Sequence, residues 1–565
     1  MQIKQTLVRL LVFVLPVTAF GQTTFLPLGS AESHLLERLE IKAMKDSVLN
    51  FSKTKPYSRE QFIPQLALYY QPAALRDSGA PAETVPDARL TSIDQRNIER
   101  AFAISPEWAP FPSASRRPVG RFYRNPANLY EASTEDFYLS VNPVFQYIVG
   151  AERNSDDHIF LNTRGLTLRG RIADKVGFAA YVTDNQERDP YYVREWVTAH
   201  RAVPGAGFYK EFKTTGYDYF DARGYVTAGI TRFIDVAFGY DRHFIGNGHR
   251  SLFLSDFSNS ALFLKLNTRI WKFNYQNLFL ELNTAHRLNA DQLFPKKYAA
   301  MHHLDLAVTK WLNVGLFEAI VFGRNDHFEF GYLNPVIFYR SIEQQTGSFD
   351  NALAGIDFKA NAARRFQFYG QMLLDEFVLK EIKDNKGWWA NKFGYQLGAK
   401  YVDALGINNL DLQLEMNRVR PFTYSHRDSV ANYTHYNQPL AHPLGASFHE
   451  WIGIMRYQPL QKLMVQLKAI TFAQGRDTGK ISYGGNIFLP NIPPYRNSEY
   501  GYEIGSGEKA RTGYMSALLS YELRPNLFVE GNAVLRTEKL AGVRKTTSVV
   551  YLGIRWNMHR REFEF

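Results

Sequence analysis

The sequence predicts an all-β protein: a transmembrane antiparallel β-barrel of about eighteen strands with a small, partly helical N-terminal region. Three observations carry that expectation. They are an export leader, period-two alternation repeated along most of the chain, and a rhythm of tight turns and long connections.

The leader comes first. Lys4 and Arg9 make a basic start, Leu10 to Val17 is an apolar run, and Ala19-Phe20-Gly21 sets small residues where a signal peptidase reads. The competing account, an N-terminal membrane anchor, needs about 20 apolar residues, and this run is shorter. Residues 1–21 are therefore expected to be a signal peptide, and losing Lys4 and Arg9 leaves the mature chain basic.

Composition agrees. The mean hydropathy is −0.30, and no stretch after the leader is long and apolar enough for a spanning helix. Yet 15% of the 565 residues are aromatic, with 33 Tyr and 42 Phe, as expected of a barrel with a polar lumen and aromatic girdles. Cysteine is absent, which excludes disulfides and thiolate metal sites. The net charge of +11 suits contact with anionic lipopolysaccharide or acidic glycans; dispersed surface charge accounts for it equally well.

Residues 22–135 do not alternate. Leu35, Leu36, Leu39 and Met44 have helical spacing, as do Ile93, Ile98 and Phe102, while prolines from Pro72 to Pro118 cut the region into short pieces. The expectation is a periplasmic cap or a plug entering the barrel; the alternative is a loosely ordered export spacer.

Residues 136–565 carry the strands. In Leu410-Asp411-Leu412-Gln413-Leu414-Glu415-Met416-Asn417 the apolar and polar residues separate onto two faces. Strands are expected near Phe137, Ile159, Val176, Tyr219, Ile234, Ala261, Lys272, His303, Leu312, Leu353, Phe366, Lys392, Leu410, Trp451, Lys462, Gly513, Asn526 and Thr547. A soluble sheet also alternates. The connections decide: tight turns such as Ala173-Asp174-Lys175 alternate with segments such as 184–218, 323–351, 421–450 and 473–512. Short periplasmic turns and long extracellular loops are the pattern of outer-membrane barrels. Lys265, Asn267, Asp411, Gln413, Glu415 and Asn417 should then line the interior. Val550, Leu552, Ile554 and Trp556 share one face of the last strand, whereas Phe565 has the opposite parity. It is either a terminal assembly signal or part of a short tail.

Catalysis is not expected, and no catalytic residue, cofactor or metal is assigned. His426, His435, His442 and His449 recur in one long loop, but their spacing matches no ligand pattern. Asp241, His243 and His249 surround Gly246-Asn247-Gly248, which reads more simply as a glycine turn. Ser251 and Ser255 have nothing to select them as nucleophiles. Glycan binding asks for less: aromatic faces to stack on sugars, with amides, carboxylates and arginines for hydroxyls and acidic groups. The candidates are Trp388 and Trp389, then Tyr433, His435, Tyr436 and Asn437, and Arg324 in another loop. The alternatives are the membrane aromatic girdle for the tryptophans and internal loop packing for the Tyr433 cluster.

Several stretches resemble the Wzi-like capsule-assembly barrels of Bacteroidota, which include RemB-like gliding-motility proteins. They are Arg164–Gly170, Thr183-Asp184-Asn185-Gln186, Ala202-Val203-Pro204-Gly205, Phe244–Leu254, Gly331–Val336, Asn432–Leu440 and Gly484-Gly485-Asn486. The resemblance implies an outer-membrane lectin barrel that holds capsular polysaccharide, with surface motility as the alternative. A diffusion porin is a third reading. Expected partners are outer-membrane lipid and lipopolysaccharide, capsular or exopolysaccharide, and other envelope proteins, with no nucleic acid.

Overall fold

The computed structural model describes residues 24–71, 88–111, 119–153, 155–284, 294–336, 338–479 and 481–565. The expected leader and the proline-rich stretches 72–87 and 112–118 lie outside the described residues.

Eighteen antiparallel strands close into a barrel. In chain order they are β1 (Phe137–Glu152), β2 (His158–Ile172), β3 (Val176–Arg188), β4 (Gly216–Gly229), β5 (Ile234–Asp241) and β6 (Ala261–Ile270). β7 (Phe273–Asn283), β8 (Lys296–Ala307), β9 (Leu312–Phe322), β10 (Asn351–Ala362), β11 (Phe366–Glu376) and β12 (Lys392–Tyr401) follow. β13 (Leu410–Val419), β14 (Phe448–Leu460), β15 (Leu463–Arg476), β16 (Glu508–Arg524), β17 (Leu527–Leu540) and β18 (Val543–Trp556) complete the ring. β18 closes on β1, pairing Val549 with Glu152 and Trp556 with Phe145. Beyond Trp556 its place beside β1 passes to residues 130–133, with Tyr130 opposite Val141.

Alternation sets the two faces. Leu414 is 55% exposed on the outside while Glu415 is fully buried on the inside. Lys265, Asp411, Gln413 and Asn417 are likewise buried inward, and Val550, Leu552 and Ile554 are exposed outward. Turns such as 173–175, 271–272 and 525–526 gather at one end, and connections such as 189–215, 323–350, 420–447 and 477–507 at the other. All eighteen expected strands are present, but β8 begins seven residues before His303, at Lys296. Lys297 to His303 are all buried, because chain covers this wall on both sides, so a two-faced pattern has no cause to appear.

The N-terminal region folds across the short-turn end. Helix α1 (Ala31–Ala43) is capped by Ser30, whose hydroxyl accepts from Ser33 N. Helix α3 (Ser92–Ile104) starts with a reciprocal capping box between Thr91 and Asp94. Between them α2 (Arg59–Leu66) carries Pro64 inside it, which hid it from a reading by periodicity. Its Phe62, Ile63 and Leu66 join Leu35, Leu36, Leu39, Ile98 and Phe102 in a separate small core.

Ion pairs dock this unit. Arg38 bonds Asp94 at 2.6 Å and also Asp403 and Asp411 of the wall; Lys42 bonds Asp94 at 2.7 Å and Asp403 at 2.8 Å. Glu37 lies between Lys55 (2.5 Å) and Lys400 (2.8 Å). Deeper in, Lys53 reaches Asp305 (3.0 Å) and Asp357. Residues 54–55 pair there with 244–245 from the β5–β6 connection. The region thus lies across the short-turn end and reaches into the lumen at residues 53–55.

The segment after β18 turns inward. Arg560 bonds Glu530 at 2.6 Å, Arg561 bonds Glu187 and Tyr219, and Glu564 bonds His249 at 2.7 Å and also Lys468. Phe565 is buried against Tyr192, Trp196 and Phe257. Of the two readings of Phe565, the tail is the one observed: its charged neighbours are matched to lumenal charges of opposite sign.

Candidate functional site

The long-loop end divides into segments folded into the lumen and segments that stand above it. Loop 420–447 folds inward. Tyr433 is 1% exposed, its hydroxyl donating to Phe253 O at 2.7 Å and its ring stacked on Tyr424 at 5.6 Å. His435 is buried with both ring nitrogens engaged: Nδ1 accepts from Asn283 N at 3.0 Å and Nε2 bonds Ser260 O at 3.0 Å. Burial lowers its pKa to about 4, so the ring is neutral and Nε2 is the donor. Tyr436 and Asn437, both at positive φ, make the tight turn between residues 434–435 and 438–439 and are half-buried. Gln438 Oε1 accepts from Gly205 N at 2.8 Å, locking the 202–207 turn to this hairpin.

Several of the stretches singled out in the sequence thus meet one another. Ser255 N donates to Leu440 O at 2.9 Å, and Phe422 N to Gly484 O at 2.9 Å. Ser251 Oγ donates to Ile245 O at 2.5 Å, and Ser255 Oγ to Ala441 O. Both hydroxyls are spent on holding turns. Asp241 pairs with Arg223 (3.7 Å), His249 with Glu564, and His442 with Glu450 (2.7 Å), so the sequence-proximal groups serve separate partners. Among the described residues no three His, Asp or Glu side chains gather to hold a metal ion. Arg324 forms a two-pronged bond to Asp350 (2.8 and 2.6 Å), closing the base of the 323–350 loop.

Trp388 and Trp389 sit elsewhere, on the β11–β12 connection. Trp389 Nε1 donates to Glu499 Oε2 at 2.8 Å and its backbone N to Glu499 O at 3.1 Å. Gly501 N and Tyr502 N return bonds to Lys386 O (3.0 Å) and Gly387 O (2.9 Å). Gly387 has φ +69°, and a Cβ there would stand 2.8 Å from Tyr502 N, so the site requires glycine. The Arg496 guanidinium lies 4.3 Å over the Trp389 ring and bonds Glu499 at 2.7 Å. Trp388, 6.2 Å from Trp389, is half-exposed, and Tyr495 and Tyr500 on the facing loop are exposed. Two loops over 100 residues apart thus build one surface of aromatic rings, guanidinium and carboxylate. The structure keeps Trp388 and Trp389 together and apart from the Tyr433 cluster and Arg324. Tyr495, Arg496, Glu499, Tyr500 and Tyr502 were missed, although the aromatic and amide density of Asn491–Tyr502 is the signal that selected 433–438.

A concavity of about 950 Å³ lies elsewhere, on the barrel wall. Outward residues such as Leu412, Leu414, Leu467, Met515 and Val550 line it, around the small residues Gly453, Ala517 and Ala533. It is a shallow of the apolar outer wall.

No protein-family model matches the chain, and no relative among curated sequences does. Among solved structures the chain is similar to Escherichia coli Wzi, described as an outer-membrane protein involved in group 1 capsule assembly and a carbohydrate-binding β-barrel. The TM-score is 0.54 at 12% identity, over 96% of this chain and 100% of that one. Pseudomonas aeruginosa OprD gives a TM-score of 0.42 at 12% identity, over 74% of this chain and 94% of that one. Acinetobacter baumannii OccAB2 gives 0.41 at 11%, over 74% and 97%. The fold is that of an outer-membrane β-barrel.

Proposed function

We propose that the protein is a non-enzymatic outer-membrane barrel that binds or organises capsular or exopolysaccharide at the cell surface, with its long loops outside and lipopolysaccharide around its rim. The observation that carries this reading is the surface made by residues 386–389 and 495–502. Trp388, Tyr495 and Tyr500 offer apolar faces for sugar rings, while Arg496, buried beneath Trp389, and Arg420, bonded to Asn391 O and Tyr502 O, brace the two loops from behind. The inward-folded Tyr433 and His435 act one step back, shaping the loops. The similarity to Wzi in fold supports the reading, since that protein is described as carbohydrate-binding. The filled lumen disfavours a diffusion pore.

The test is genetic. A strain lacking the gene should shed its surface polysaccharide into the medium. Complementation with Trp388→Ala/Tyr500→Ala should restore the barrel to the membrane but leave surface staining about tenfold lower, as loss of roughly 1.4 kcal/mol of binding requires. Full staining in the deletion strain, with colony spreading lost, would sink the proposal and favour a role in surface motility.

A further inference from the structure

The outward face of β7, β8 and β9 breaks the apolar rule. Asn277, His302 and Glu318 are direct neighbours across these three strands, Asn277 opposite His302 and His302 opposite Glu318. The row continues to Leu266 on one side and Ala354 on the other, both apolar. All three side chains point away from the lumen, because the alternate residues do the inward work: His303 bonds Asp357 and Asp305 bonds Lys53. Polar groups on a lipid-facing wall are costly, so three in one row need a cause.

The cause is the β9–β10 connection, residues 323–350, which runs down the outside of the barrel. Phe328 packs on Tyr298 and Phe322 (both 5.4 Å), and Tyr332 on Phe322 (4.7 Å). At the bottom Pro335 O accepts from Tyr275 OH, and Tyr275 stands two residues into β7 from the short-turn end. The chain returns as helix α4 (Tyr339–Thr346), whose first amide, Tyr339 N, donates to Glu318 Oε1 at 2.9 Å. The Tyr339 ring covers His302 at 4.1 Å. Within the apex Val336 N donates to Asn334 Oδ1 (3.1 Å), Asn334 N to Gly331 O (3.3 Å) and Ser341 N to Phe338 O (3.1 Å). The other side of the apex is apolar and bare: Val336 is 84%, Phe330 78% and Phe338 76% exposed.

We infer that this connection is a membrane-embedded strap, docked on the outer wall by the Tyr275, His302 and Glu318 side chains, and that its Phe330, Val336 and Phe338 crown contacts lipid acyl chains. Irregular backbone survives at membrane depth only where its polar groups are satisfied within the protein, and Glu318 and Tyr275 do this for Tyr339 N and Pro335 O. Acyl chains are the occupant because the crown is continuous with the exposed apolar wall residues Leu316, Ile356 and Phe358.

The chain contains no cysteine, so Val336→Cys takes a single nitroxide label. In phosphatidylcholine vesicles the label should collide with oxygen in preference to a water-soluble nickel chelate, as a label at Leu316→Cys does and one at Glu503→Cys does not. Preference for the chelate would overturn the inference, placing the strap in water. Shielding from both, with cross-linked dimers at this position, would also overturn it, in favour of a protein neighbour. Adding Glu318→Leu/Tyr275→Phe, in protein that keeps its heat-modifiable gel migration, should convert oxygen preference into chelate access. An unchanged preference would mean that the polar row is not the dock.

Discussion

Replacing Arg38 with Met is expected to free the N-terminal region from the barrel mouth while leaving the wall folded. Arg38 is buried among Asp94, Asp403 and Asp411, two of them on the wall side. Removing one member of a buried ionic cluster leaves like charges facing one another and costs about 3–5 kcal/mol. That is comparable to what a small docked unit can hold. Protease should then cut within α1, while heat-modifiable migration of the barrel persists. The triple variant Arg38→Met/Asp94→Asn/Asp411→Asn should recover most of the resistance, because the uncompensated charge is gone. Protection of α1 unchanged in the single variant would show that docking rests on the apolar contacts alone. Acid should act in the same direction on the unaltered protein. Burial alone would raise the Asp94 carboxyl, but Arg38 and Lys42 hold it down at about 2. A carboxyl depressed below its unfolded value of about 3.9 contributes fully above that pH, and its contribution is lost as pH falls through 2. Undocking should therefore appear between about pH 4 and pH 2, and not on raising the pH.

The second large effect is expected from Arg561→Met in the inward tail. The guanidinium bonds Glu187 and Tyr219, and Glu187 is 1% exposed, facing the lumen at the long-loop end of β3. Without it Glu187 and the buried Asp189 stand together with less counter-charge, again at a cost of about 3–5 kcal/mol. Because barrel unfolding is measured most directly as a rate, the expected readout is faster loss of the compact gel form at fixed temperature. Arg561→Met/Glu187→Gln should restore most of the lifetime. A single variant as long-lived as the parent would mean that the tail is not held by this pair.

The wall was legible because a membrane barrel imposes a two-sided pattern on nearly every strand, as in Leu410–Asn417, and because its turns are short at only one end. Where a third layer intervenes, that code fails. β8 is covered inside by the 420–447 loop and outside by the strap, so Lys297 to Met301 lose their alternation. The same limit explains why the candidate loops part in the fold. Segments 491–502 and 432–440 share an aromatic and amide composition, yet one stands at the surface while the other folds into the lumen. Composition records what a loop can bind, not which way it turns. The partner of Trp389, Glu499, lies 110 residues away, and only the fold brings them together. The stretches Ala202–Gly205, Phe244–Leu254 and Asn432–Leu440 lock to one another inside the barrel. Asn277, His302 and Glu318 were visible as polar breaks in otherwise apolar outward positions. Their meaning needed the strap that lies on them.

The central claim is that this barrel is closed by its own chain and works from its loop surface. Planar-bilayer recording of the full-length protein tests it most directly. The expected result is a silent membrane under applied voltage, with stepwise conductance appearing only once residues 24–111 have been removed. Stable, stepwise openings of the intact protein would contradict the claim and make it a pore.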